Sequence, residues 1–170
     1  MSKAFTRESD DLPDPPIVLR PPSPLPPGAK NYMTPDGAQR LRGELERLAQ
    51  ALRSPAASSP DPGSATRDRQ LLEQRIRQLE QSLDSAVIVP PSAQPWDQVR
   101  FGATVTVRDA AGGESRYRLV GVDETDSDRD WVSWCSPIAR ALLKARFGQR
   151  VRFRVPAGEQ EWEITGIVYE

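Results

Sequence analysis

Acidic residues at alternate positions are the most chemistry-prone feature of this chain: Asp126-Ser127-Asp128-Arg129-Asp130 spaces three carboxylates as the start of a calcium loop does. A complete loop of that kind needs glycine at its sixth position and glutamate at its twelfth. Trp131 and Pro137 stand there instead, so a solvated turn is the better reading. There is no histidine, and Cys135 is the lone cysteine, which removes a Cys/His zinc site, a histidine-based triad and an intramolecular disulfide. Cys135 reads as a half-buried strand cysteine rather than a redox switch. The cations Arg140, Lys144, Arg146, Arg150, Arg152 and Arg154 are answered by Glu159, Glu161 and Glu163 on the next segment, as in a cross-strand charge ladder. Trp131, Trp134 and Trp162 could line a ligand pocket, but core packing is the stronger reading. Neither a metal nor a cofactor is expected.

These residues must be positioned by a chain of 170 residues that is 37% hydrophobic, enough for a modest core. The net charge of −1 is spread evenly: residues 1–33 and 34–90 each balance to zero, and the remainder carries the −1. Strong direct binding to nucleic acid through phosphates is therefore not expected. No stretch reads as a signal peptide or a membrane span, so a cytoplasmic monomer is the expectation.

The N-terminal tail, residues 1–31, includes DPPIVLRPPSPLPPG, whose proline density blocks helix and central strand. A disordered or semi-rigid tail is expected, with partner docking as the alternative. Thr34-Pro35-Asp36 then supplies an N-cap, a first-turn proline and an acid at the positive end of a helix. Leu41, Leu45, Leu48 and Leu52 recur at coiled-coil spacing. Ser54 to Thr66 reads as a loop, and a second helix from about Arg67 to Ala86 repeats the stripe with Leu72, Ile76, Leu79 and Leu83. Residues 32–90 thus form an antiparallel helical hairpin.

A boundary near residue 92 opens a second unit, residues 91–170. Ala103 to Val107 and Arg116 to Val122 alternate around Asp109-Ala110-Ala111-Gly112-Gly113, a hairpin, and Trp131 to Trp134 adds a third strand. Ser136 and Pro137 open a short helix that Gly148 should close, followed by strands over Val151 to Val155 and Glu161 to Tyr169. The fold class is α+β: a helical hairpin followed by a mostly antiparallel sheet with one helix packed on it.

Three segments resemble the bacterial Gre transcription elongation factors, which act in the secondary channel of RNA polymerase. They are Tyr32 to Gly37 with Leu41, Glu44 and Leu45; Phe101 to Ala103 with Val105, Tyr117 to Gly121, Asp123 and Glu124; and Ser136 to Lys144 with Pro156 to Glu159 and Ile167 to Tyr169. The resemblance implies an N-terminal coiled coil and a C-terminal domain of the FK506-binding-protein-like (FKBP-like) fold that docks on the channel rim. Its docking surface would comprise Asp123, Glu124, Ser136, Pro137, Ile138, Ala139 and Arg140. In cleaving members of that family, paired acids at the coiled-coil tip help the polymerase hold a second Mg²⁺ for hydrolysis of backtracked RNA.

This chain departs from the pattern at the tip, Ser59-Pro60-Asp61-Pro62-Gly63-Ser64-Ala65, where Asp61 has no second acid at the required spacing and Asp68 already lies in the second helix. The first helix, about 28 Å from Thr34 to Leu52 at about 1.5 Å per residue, is also short beside those of cleaving members. The expectation is a non-catalytic regulator that binds RNA polymerase and acts by occupancy. One alternative is transcript cleavage with Asp61 or Asp68 replacing the missing pair. Another, of a different class, is a peptidyl-prolyl isomerase or chaperone suggested by the fold alone.

Overall fold

A computed structural model describes residues 25–54, 62–91, 97–155 and 158–169. Of the expected tail, residues 25–31 are described: the Ala29 amide bonds the Pro26 carbonyl at 2.9 Å in a turn, and Asn31 opens strand β1, Asn31–Met33. Helix α1, Pro35–Arg53, begins as the residue types require. Thr34 is its N-cap, accepting from the Gly37 amide at 3.0 Å, with Pro35 in the first turn and Asp36 beside it. Helix α2 spans Pro62–Ser85 and β2 spans Ala86–Ile88.

Two expectations for this half change. The loop over Ser54 to Thr66 is shorter, because α2 starts at Pro62 and not near Arg67. Proline at a first helical position loses only an N–H that has no intrahelical partner, so Pro62 starts the helix that it seemed to exclude. Secondly, β1 and β2 pair in parallel, Asn31 with Ala86 through Met33 with Ile88, and the Val89 amide extends the ladder to the Met33 carbonyl at 2.9 Å. Strands of three residues carry too little alternation to be seen in sequence. Met33, Ala38, Leu41 and Leu79 form a small core at the root of the hairpin, with Leu45, Leu48, Leu83 and Ala86 against it. An ion pair of 2.8 Å between Arg75 and Glu44 crosses from one helix to the other.

The second half is a five-stranded sheet in the order β5-β4-β3-β7-β6. Its strands are β3 (Ala103–Asp109), β4 (Glu114–Val120), β5 (Trp131–Ser133), β6 (Arg150–Val155) and β7 (Gly158–Tyr169). All neighbours are antiparallel except β4 and β5, which run parallel. Val122, expected at the end of a strand, lies in a 3-10 turn, Val122–Glu124. Helix α3 is Pro137–Leu142, shorter than the helix expected to run to Gly148. The chain stops being helical because its next backbone groups bond elsewhere. The Lys144 amide reaches the Val99 carbonyl and the Val99 amide the Ala145 carbonyl, both at 2.8 Å. Gly148, at φ 76°, serves a later turn, giving its amide to the Ile164 carbonyl. The main core lies between α3 and the inner sheet face, with Val105, Leu119, Leu142 and Ile164 fully buried.

The three tryptophans divide. Trp162 belongs to the core, stacked on Tyr117 at 5.4 Å and edge-on to Phe153 at 4.3 Å between ring centroids. Trp134 packs against Tyr32 of β1 at 5.3 Å. Trp131 lies under the guanidinium groups of Arg40, Arg118 and Arg129, at 4.5, 4.9 and 5.3 Å from its centroid.

Candidate functional site

The residues singled out for docking separate into two groups. The first is the 3-10 turn that follows β4. Asp123 is exposed, and its carboxylate accepts a hydrogen bond from the Ser82 hydroxyl of α2. Glu124 points the other way and is 3% exposed. Its Oε2 accepts from the Thr34 amide at 3.0 Å and the Gly121 amide at 2.8 Å, and its Oε1 from the Thr34 hydroxyl. The Glu124 carboxylate, expected on the docking surface, is turned into the molecule. Beside it lies a polar cleft of about 310 Å³, where Arg40, Glu44 and Arg75 of the hairpin face Asp123, Thr125 and Asp126.

The second group opens α3. Ser136 is the N-cap, its Oγ accepting from the Ala139 amide at 3.1 Å, and Pro137 follows at the first helical position. Pro137 and Arg140 are exposed and Ser136 is half-buried. Ile138 packs toward the core and Ala139 is 0% exposed. None of Ser136 to Arg140 lines the cleft at Glu124.

Asp68 is exposed on α2, and the first turn of that helix holds no acid. Asp61 lies outside the described residues. The Asp126 to Asp130 run folds as a turn closed by its own bonds: Asp126 Oδ1 accepts from the Asp128 amide at 3.0 Å, and Arg129 sits 3.5 Å from the same carboxylate. Among the described residues no group of three or more histidine, cysteine or acidic side chains is placed to hold a metal ion, and no helix is long and apolar enough to cross a membrane. The expected charge ladder forms in part: on β6 and β7 Arg152 lies 2.5 Å and Arg150 3.6 Å from Glu161, while Arg146 pairs with Asp97 at 3.8 Å and not with the β7 glutamates. The Arg152 guanidinium holds the Glu161 carboxyl below its ordinary range.

Sequence reasoning missed the joining of Thr34, Gly37 and Ser82 to the Asp123-Glu124 pair. One sign was available, since glycine at position 37 is a poor choice for the first turns of a helix unless something occupies the space of its side chain.

Residues 93–169 match the C-terminal domain of the GreA/GreB transcription elongation factors. The transcription elongation factor GreB of Neisseria meningitidis is 36% identical over 154 residues, covering 82% of this chain and 94% of that protein. The chain belongs to the GreA/GreB family. A second Gre factor, GreA of Francisella tularensis, is 35% identical over 81% of this chain and 96% of its own length. Among solved structures, the GreA factor homolog 1 protein of Thermus thermophilus aligns with 82% of this chain and 99% of that one, at 24% identity and a TM-score of 0.40. This Gre-family chain is thus a transcription elongation factor, with an α+β structure of helices and a curled sheet.

Proposed function

We propose that this elongation factor binds RNA polymerase at its secondary channel, as a cytoplasmic monomer, and acts by occupancy without stimulating transcript cleavage. Residues 32–90 are the hairpin inserted in the channel, and residues 91–170 the FKBP-like unit that docks on its rim. Asp123, Ser136, Pro137 and Arg140 are the contact residues; Glu124, Ile138 and Ala139 hold that surface from within. The carrying observation is the acid-poor end of the hairpin: the first turn of α2 has no acid, and Asp68, six residues after the helix start at Pro62, is set back by about 9 Å at about 1.5 Å per residue. A hard divalent cation needs several oxygen ligands at once, and Asp61 supplies one carboxylate. The arms, 19 and 24 residues, extend about 28 and about 36 Å.

The test combines binding to core RNA polymerase with RNA cleavage on a backtracked complex, with and without an added cleaving Gre factor. Occupancy predicts binding, inhibition of the added factor and no cleavage. Cleavage that disappears in Asp61→Ala would overturn it in favour of catalysis. Pro137→Arg should weaken polymerase binding by about tenfold, equivalent to about 1.4 kcal/mol, with unchanged circular dichroism. Unchanged affinity would remove α3 from the docking surface. Turnover in a proline-peptide isomerisation assay would move the function to the other class.

A further inference from the structure

We propose that Glu124 is a positioning residue whose buried carboxylate fixes the direction in which the helical hairpin leaves the sheet. For its consequence at the polymerase this rests on the docking reading above; the structural statement stands without it.

A carboxylate that is 3% exposed persists only where polar groups replace water. Glu124 finds them on both sides of the junction. The Gly121 amide comes from its own turn, and the Thr34 amide and hydroxyl come from the start of α1. Thr34 also passes the interaction on: its hydroxyl donates to Glu124 while accepting from the Gly37 amide, one of the unpaired donors of the first helical turn. The negative charge thereby sits at the positive end of the α1 dipole, where it stabilises the helix.

The space is as specific as the bonding. A Cβ on Gly37 would overlap the Glu124 carboxylate, and one on Gly121 would meet the Tyr32 carbonyl and Glu124 Oε2. Glycines from opposite halves of the chain thus make room for the same side chain. Glycine inside a helix is less favourable than alanine, and the buried carboxylate is what alanine at position 37 would displace. Further contacts span the same junction: Ser82 with Asp123, Arg118 with Asp36 at 3.5 Å, and Arg40 over Trp131. Neighbouring residues of one turn therefore grip both helices, Glu124 at the start of α1 and Asp123 near the end of α2.

The experiment uses full-length protein carrying Cys135→Ser, with spin labels introduced at Arg47→Cys on α1 and Arg154→Cys on β6, both exposed positions. The parent should give one narrow distance distribution. Glu124→Ala should lose the single narrow peak, Gly37→Ala should do the same, and Glu124→Gln, which keeps an acceptor in place, should restore it. The double variant Gly37→Ala/Glu124→Ala should be no broader than either single one, because the alanine methyl enters vacated space. A Glu124→Ala distribution as narrow as the parent's, or additive broadening in the double variant, would overturn the proposal. Unchanged near-ultraviolet circular dichroism controls for the sheet. With polymerase, Glu124→Ala, whose hairpin is no longer directed, should inhibit an added cleaving factor at least about tenfold less well than the parent, and Glu124→Gln should recover that inhibition. Affinity lost as in Pro137→Arg with unchanged label distances would make Glu124 a direct contact and sink the proposal. If the parent protein fails to bind polymerase, the docking reading falls while the distance result remains.

Discussion

Tyr169 closes the sheet domain through one hydroxyl. It donates to the Gln98 carbonyl at 2.7 Å and accepts from the Arg100 amide at 3.0 Å, joining the end of β7 to the segment before β3. Burial pushes the phenol above its ordinary value near 10, outweighing the opposing pull of the Arg100 amide. A raised acid favours the protonated fold, so its contribution is complete below about pH 10 and is lost as pH rises through the folded value. Tyr169→Phe should cost about 1–3 kcal/mol at neutral pH by orphaning these partners, and should flatten the alkaline fall in stability. Urea denaturation of both proteins at neutral pH and above about pH 10 checks each part; parallel alkaline losses would contradict the assignment. Lys144, at φ 70°, is held in left-handed backbone by the Val99 pairing. Lys144→Gly should relieve roughly 0.5–1 kcal/mol, visible as a higher denaturation midpoint.

Among the elements, those with long periodic stripes or strong caps were legible in the sequence. Thr34-Pro35 and Ser136-Pro137 start α1 and α3 as their residue types require, and the leucine stripes of both long helices face one another. Less visible was whatever depends on partners far along the chain. Gly148 reads as a helix stop, but α3 ends at Leu142 because Val99 captures the following backbone. Asp123 and Glu124 look alike in sequence, and the donors of Thr34 and Gly121, with the space left at Gly37, turn one inward. The Ser136 cap can be separated from any role of Ser136 at a partner surface. Ser136→Ala should cost about 1 kcal/mol, whereas Ser136→Asp, another good cap, should cost far less. Denaturation midpoints distinguish them; equal losses would mean that the hydroxyl does more than cap.

For the molecule as a whole, most of the buried apolar residues among those described fall into two clusters, one in the hairpin root and one in the sheet domain. Leu79, 1% exposed, serves the smaller. Leu79→Ala should cost about 2–5 kcal/mol and act unevenly, speeding amide exchange in α1 and α2 while β3 remains protected. Equal acceleration in β3 would mean that the halves unfold as one unit. Among the described residues β6 is an outer strand of the sheet, where Val151 and Phe153 are buried and Arg150, Arg152 and Arg154 exposed. An unpaired strand edge is a template on which other copies can assemble. The charged side chains at the outward positions, two of them paired with Glu161, would have to lose water against a stacking copy, so these arginines should act as gatekeepers against fibril growth, and replacing them with valine should make the protein more prone to precipitate.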